Sequence, residues 1–229
     1  MSNGLPQAVL LDMDGTCIDS EPLWIAAEVA LAKKHGEVFD PKDGVQFVGT
    51  SILDTAEYFK KWLQLPQSAQ DIADEIVANV VAALGSAALQ LRPGLPQLLV
   101  ECQRLNLPVA LVTSSYQVFA DAFIAKLEQE PFAQELKRPI FSAVVTGDEK
   151  LPNKPDPAPY QAAATRLGMN PQECLAVEDS PTGLRSALNA GCQVVGIECM
   201  NPIPSWPGIT ELSSLADLDE KLLRKLASA

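Results

Sequence analysis

The stretch AVLLDMDGTCIDSEP, residues 8–22, decides the fold. Ala8, Val9, Leu10 and Leu11 form a continuous apolar run without alternation, the pattern of a parallel strand buried on both faces. Asp12 therefore stands at the carboxyl end of that strand, and Asp14 follows on a Gly-Thr turn. Gly15 can take backbone angles closed to other residues, so the chain can turn sharply and aim two carboxylates at one small volume. Carboxylates that close repel unless something compensates them. Mg2+, which takes oxygen ligands from one or two carboxylates together with water and substrate phosphate, is the expected compensation. The arrangement outlines a phosphoryl-transfer site.

Past this loop the pattern turns helical. Residues 22–34 carry Leu23, Ala27, Ala30 and Leu31 at helical spacing, with Pro22 suited to a first turn. Ser51 and Asp54 approximate a capping box ahead of Ile52, Ala56, Phe59 and Leu63, and a third helix over 69–84 carries Ala73, Ile76, Val77, Val80 and Leu84. No strand signal occurs between residues 20 and 88. Beyond a helix through Leu95, Leu98, Leu99, Cys102 and Leu105, apolar strands over 108–115, 141–147, 173–179 and 193–197 alternate with amphipathic helices. This alternation predicts an α/β protein, a Rossmann-like parallel sheet core over 1–19 and 88–229. A small all-helical cap domain, 20–87, is expected as an insert after the first strand.

Ligand sites in such sheets lie beyond the carboxyl ends of the strands. The polar candidates fall there: Asp12 after the first strand, Thr113 after the second, Lys154 in the loop after the third, Glu178 and Asp179 at the end of the fourth. Each has a blander reading. Glu178-Asp179 could cap the helix that starts at Ser180-Pro181, and Lys154, between Asn153 and Pro155, could be a solvated loop lysine.

At Asp12-Met13-Asp14-Gly15-Thr16 the chain resembles the haloacid dehalogenase superfamily, whose first motif reads Asp-x-Asp-Gly-Thr after a buried strand. Thr113, Lys154 and Glu178-Asp179 follow in that family's order. The resemblance implies that Asp12 is a nucleophile forming an aspartyl-phosphate and that Asp14 is general acid and then base. It further implies Mg2+ held by Asp12, Asp179 and the backbone carbonyl of Asp14, with Glu178 beside those ligands. Thr113 and Ser114 would bind phosphoryl oxygens, and Lys154 would neutralise Asp12 and the transferred group. An aspartate at position 14, which dehalogenase and phosphonatase members lack, points to a phosphate ester. DSEPLW, residues 19–24, resembles the β-phosphoglucomutase-like subgroup with helical caps, and within it the 2-deoxyglucose-6-phosphate phosphatases. Where the mutases carry a histidine and a phosphate-gripping arginine, this chain has Trp24 and Ile52, so hydrolysis is expected. Trp24, Gly49, Thr50 and Ile52 are the expected substrate-selecting residues of the cap. The leading reading is thus a Mg2+-dependent phosphatase of a small phosphorylated metabolite, with a sugar phosphate as the expected class. A phosphotransferase and a non-catalytic binding protein on the same fold are the alternatives.

Composition narrows the partners. The net charge is −12, which argues against nucleic acid or an anionic membrane, since both require clustered Lys and Arg. Five cysteines without a CxxC pair suggest buried, reduced thiols. The single histidine, His35, sits in KKHGE at a helix end and reads as a solvated surface residue; no serine or cysteine nucleophile motif accompanies it. The start, MSNGLPQ, has no signal-peptide pattern, and no apolar run approaches the ~18 residues of a membrane helix. A monomeric, cytoplasmic enzyme is the expectation.

Overall fold

A computed structural model describes residues 4–47, 50–199 and 202–227. Six parallel strands form one sheet: β1 (Ala8–Leu11), β2 (Val109–Val112), β3 (Ala143–Val145), β4 (Cys174–Glu178), β5 (Gln193–Ile197) and β6 (Ile209–Leu212), in the order β3-β2-β1-β4-β5-β6. Leu11 pairs with Leu111 on one side and with Val177 on the other, so the residues that follow these three emerge level at one sheet edge. Chain crossovers run outward from β1 in both directions. Asp12 thus lies at the switch point, where strand ends diverge and leave a crevice.

Alternate residues of β1 serve opposite faces. Val9 and Leu11 join a core with Leu95 and Leu99 of α4 (Leu95–Arg104) and Phe119 and Phe123 of α5 (Gln117–Leu127). Ala8 and Leu10 join a second core with Tyr160, Ala163 and Ala164 of α7 (Ala158–Leu167) and Leu184 and Ala187 of α8 (Pro181–Ala190). All four β1 residues are wholly buried, as the unbroken apolar run predicts. A one-turn α6 (Pro131–Gln134) and a C-terminal α9 (Glu220–Ala227), which anchors Leu223 in the first core, complete the shell.

Between β1 and β2 the described residues contain no strand within 21–86. They form α1 (Glu21–Lys34), a 3₁₀ turn (Pro41–Phe47), α2 (Ile52–Trp62) and α3 (Ala69–Ser86). Leu31, Phe59, Ile76 and Val80 from this insert continue the first core without a break. Ser51 caps α2 through the Asp54 amide at 3.2 Å, but the fully reciprocal capping box is at Ser68 and Asp71, ahead of α3. The two chain crossings into and out of the insert pair with each other: Asp19 N–H donates to the Gln90 carbonyl (2.8 Å) and Arg92 N–H to that of Cys17 (2.9 Å).

Two details depart from the sequence expectation, while the thiols follow it. β6 and α9 lie in a stretch without a predicted element. β6 is an edge strand, pairing only with β5, and its ITEL sequence is half-exposed, so it has neither the apolar run nor the alternation that marks the others. His35 is half-buried, and not solvated, as the C-terminal cap residue of α1. All five cysteines are free thiols, four of them buried. Among the described residues no helix is long and apolar enough to cross a membrane.

Lys126 of α5 closes the far end of the insert: its ammonium donates to the Leu84 carbonyl at 2.6 Å and to that of Ala87, satisfying carbonyls that the end of α3 leaves free. Lys126→Met should lower the unfolding free energy by about 1–3 kcal/mol in urea titrations, the range for hydrogen bonds to a charged group. An unchanged midpoint would mean that water serves those carbonyls equally well.

Candidate active site

Asp12 ends β1 and is nearly buried, its amide bonded to Val177 and its carbonyl receiving the Cys17 thiol. Gly15, at φ +80°, makes the turn that follows. A Cβ there would lie 2.1 Å from Asp179 Oδ2, so glycine is required both for the left-handed angle and for the approach of Asp179. Thr16 donates to Asp179 Oδ1 at 3.3 Å, tying the first loop to the end of β4.

Lys154 is the pivot of the charged cluster. Its Nζ donates to Asp12 Oδ1 (2.7 Å), Glu178 Oε1 (2.6 Å) and the Val112 carbonyl (2.9 Å), with its side chain only 4% exposed. It is therefore not a solvated loop lysine. Burial alone disfavours its charge, but the Asp12 and Glu178 carboxylates outweigh that and hold its pKa above the ordinary lysine value. Glu178 is wholly buried and fully used: Tyr160 OH donates to Oε1 at 2.8 Å, and Ser180 Oγ donates to Oε2 at 3.1 Å. Ser180 also caps α8, its Oγ accepting from the Gly183 amide at 3.0 Å. The pair at the end of β4 thus holds the lysine through Glu178, while the cap of α8 is the next residue along.

Carboxylate oxygens of Asp12, Glu178 and Asp179 lie within 4.8 Å of one another. One ammonium cannot balance three such groups. Burial, then the charge of Glu178, pushes Asp12 up to about 8; burial, then Asp12, pushes Asp179 up to about 9, even though Lys154 pulls both down. An all-oxygen, charge-rich and under-neutralised donor set fits a hard divalent cation such as Mg2+. Asp12 and Asp179 are the side chains placed to hold it, since Glu178 is engaged by Lys154 and Tyr160.

Asp14 points elsewhere. Ser20 Oγ (2.5 Å) and Trp24 Nε1 (2.9 Å) donate to its Oδ1, and Ser115 Oγ (2.7 Å) and Thr113 Oγ1 (3.3 Å) donate to Oδ2. Thr113 also accepts the Ser115 amide at 2.9 Å and is buried behind the wall, whereas Ser114 and Ser115 face the open space. Trp24, read from the sequence as a substrate selector, lines that space too, but it also orients Asp14 and meets Phe119 edge-on, with ring centroids 5.3 Å apart.

These residues floor a cleft of about 770 Å3, counted to its mouth, roofed by the insert. Trp24, Thr50 and Ile52 line it as expected; Gly49 lies outside the described residues. Sequence reading did not single out Ser20, Ser115, Tyr160, Thr55, Glu21 or Glu28. For Glu28 a signal existed, because 24, 28 and 31 fall on one helical stripe with Trp24 and the buried Leu31. For Ser115 and Tyr160 none did, since their partners are 101 and 18 residues away.

Residues 6–191 match the family of haloacid dehalogenase-like hydrolases. The chain is 31% identical over 199 residues to hexitol phosphatase A of Escherichia coli, covering 85% of this chain and 84% of the relative. It is 28% identical over 220 residues, 95% of its length, to the bifunctional riboflavin kinase/FMN phosphatase of Arabidopsis thaliana, of which it spans only 54%. Crystal structures of CbbY from Rhodobacter sphaeroides, one with phosphate and one of a mutant with xylulose-(1,5)bisphosphate, superpose with a TM-score of 0.82 at 25% identity, covering 93% of this chain and 96% of theirs. With the family's motif residues gathered at one sheet edge and the match extending over most of its length, the chain belongs to the haloacid dehalogenase-like hydrolases.

Proposed function

We propose that the protein is a Mg2+-dependent phosphatase that hydrolyses a small phosphorylated metabolite, a sugar phosphate by class, through an aspartyl-phosphate on Asp12. The observation that carries this reading is the 2.7 Å contact between Lys154 Nζ and Asp12 Oδ1 on the floor of the cleft. Lys154 occupies one oxygen of Asp12 and holds the carboxylate in place, which leaves the other free to attack phosphorus. The leaving oxygen departs with a proton from Asp14. Asp14 then takes a proton from water as that water attacks the phosphoenzyme, releasing inorganic phosphate and restoring the Asp12 carboxylate. To do either, Asp14 must exchange one of its four donors for the reacting oxygen. Bound Mg2+, on Asp12, Asp179 and the Asp14 carbonyl, would offset the charge of the phosphoryl group and of the carboxylates. Thr113 acts from behind, fixing Asp14 and the Ser115 amide, while Ser114 faces the phosphoryl site. Residues 20–87 serve as the cap, and Trp24, Gly49, Thr50 and Ile52 meet the leaving group.

Support for the substrate class comes from the relationship to hexitol phosphatase A. Turnover of p-nitrophenyl phosphate with Mg2+ is the first test. Asp12→Asn, nearly isosteric but a poor nucleophile, should abolish it without unfolding the protein; activity within about tenfold of wild type would exclude the covalent route.

Chelation by EDTA should silence the enzyme and added Mg2+ restore it, because without the cation, burial and mutual repulsion keep Asp12 and Asp179 protonated and Asp12 a poor nucleophile. Full activity in a demonstrably metal-free sample would remove Asp179 from its role. Lys154→Met should cost on the order of 10²-fold in kcat for every substrate, comparable with losing one preorganised electrostatic donor.

Gly183→Ala tests how Glu178 is seated. A Cβ at Gly183 would fall 1.8 Å from Glu178 Oε1, so the carboxylate must shift and release Lys154. Turnover should drop by about tenfold or more with Mg2+ saturating; wild-type kcat would show that the Lys154 contact tolerates a displaced Glu178.

A further inference from the structure

We propose that Glu28, with Glu21 two helical turns before it on α1, selects substrates whose leaving group is an uncharged polyhydroxy chain or ring, and turns away substrates that carry a second anionic group. This rests on the phosphatase reading above and extends it to the roof of the cleft.

Glu28 is 3% exposed, in the middle of a helix whose other buried residues are Ala27, Leu31 and Ala32. Its Oε2 is buried and has no hydrogen-bond partner among the described residues. A carboxyl group sequestered without a donor is costly, on the order of a few kcal/mol for a neutral polar group and more for a charged one. Packing does not explain it, since an apolar side chain would fill the place without that cost. Both Glu28 and Glu21 line the cleft from the first helix of the insert, and Gly44, another lining residue, sits against Glu28: a Cβ there would come within 3.0 Å of Oε2. The unmet oxygen is therefore part of the wall that the insert gives to the cleft. Burial and then Glu21 push Glu28 up to about 8, so near neutral pH the group is largely protonated and can both donate and accept, as a hydroxyl partner requires.

The other half of the argument is a missing cation. Among the described residues lining the cleft, Lys154 is the one basic side chain, and it is committed to Asp12 and Glu178. Val48 and Gly49, outside the described residues, carry no charge. A second phosphate or a carboxylate on the substrate would find carboxyl groups at the roof and no counter-charge. Hydroxyls would find Glu28, Glu21 and the Thr55 hydroxyl, which pairs with Thr50 at 3.2 Å.

The test measures kcat/KM of the Mg2+-loaded enzyme for sorbitol 6-phosphate, glucose 6-phosphate, 2-phosphoglycolate, fructose 1,6-bisphosphate and p-nitrophenyl phosphate. Wild type should favour the two polyhydroxy monophosphates over both doubly anionic substrates by about tenfold or more. Glu28→Met, which keeps the length and removes the hydrogen-bonding groups, should depress the polyhydroxy substrates several-fold more than p-nitrophenyl phosphate, and Glu28→Lys should move the ranking toward 2-phosphoglycolate. If Glu28→Lys fails to fold, the Met variant alone decides. Equal losses on all substrates with Glu28→Met, or a wild type that prefers 2-phosphoglycolate or the bisphosphate, overturns the proposal. A wild type without turnover of any monoester, p-nitrophenyl phosphate included, overturns the phosphatase reading and this one with it. An active wild type indifferent to Glu28 overturns only this one.

Discussion

The buried ammonium of Lys154, held between Asp12 and Glu178, is the contact on which the rest of the site depends. Desolvating three charged groups is expensive, and a buried ion pair of this kind is weak evidence for stability. What it provides is position. Tyr160 and Ser180 fix Glu178, Glu178 and Asp12 fix Lys154, and Asp12 stays seated at the end of a fully buried strand. The ring contacts of Lys154 with Tyr160, 5.2 Å from nitrogen to centroid, add to the same constraint. The sheet's register then matters chemically: a slip of one residue in β4 against β1 would exchange Glu178 for a neighbour on the opposite face.

Charge accounting separates the two ends of the cleft. At the floor, three carboxylates against one lysine leave a deficit that a hard dication fits. At the roof, the carboxyl groups of Glu21 and Glu28 stand without a cation among the described lining residues. A phosphate monoester matches that polarity in one orientation only, with its anionic end down and its neutral end up. Trp24 belongs to both ends, through its ring in the wall and its Nε1 on Asp14.

Much of this was readable in the residues and much was not. β1 was legible because burial on both faces leaves an unbroken apolar run, and Asp12, Asp14 and Asp179 because acids at strand ends follow such runs. The helical character of the insert was legible from spacing alone. β6 was not, because an edge strand with one partner has no periodic signature. Thr113 shows the limit at the site: its place after β2 was readable, but not that its hydroxyl would reach the Asp14 carboxylate. Rotamers of that kind follow from tertiary neighbours. Ser20 and Ser115, far apart in the chain yet on one carboxylate, are further instances.

Asp14 takes two donors, Ser20 and Trp24, from the start of the insert and two, Thr113 and Ser115, from the loop after β2. The insert itself is tethered by a narrow ribbon of two antiparallel crossings, Cys17–Asp19 against Gln90–Arg92. Were the insert to turn about that ribbon, the number of donors on Asp14 would change with the angle, so this one carboxylate couples the position of the insert to the loop after β2. By linkage, a partner that replaced one of the four donors would bias that angle by the same free energy.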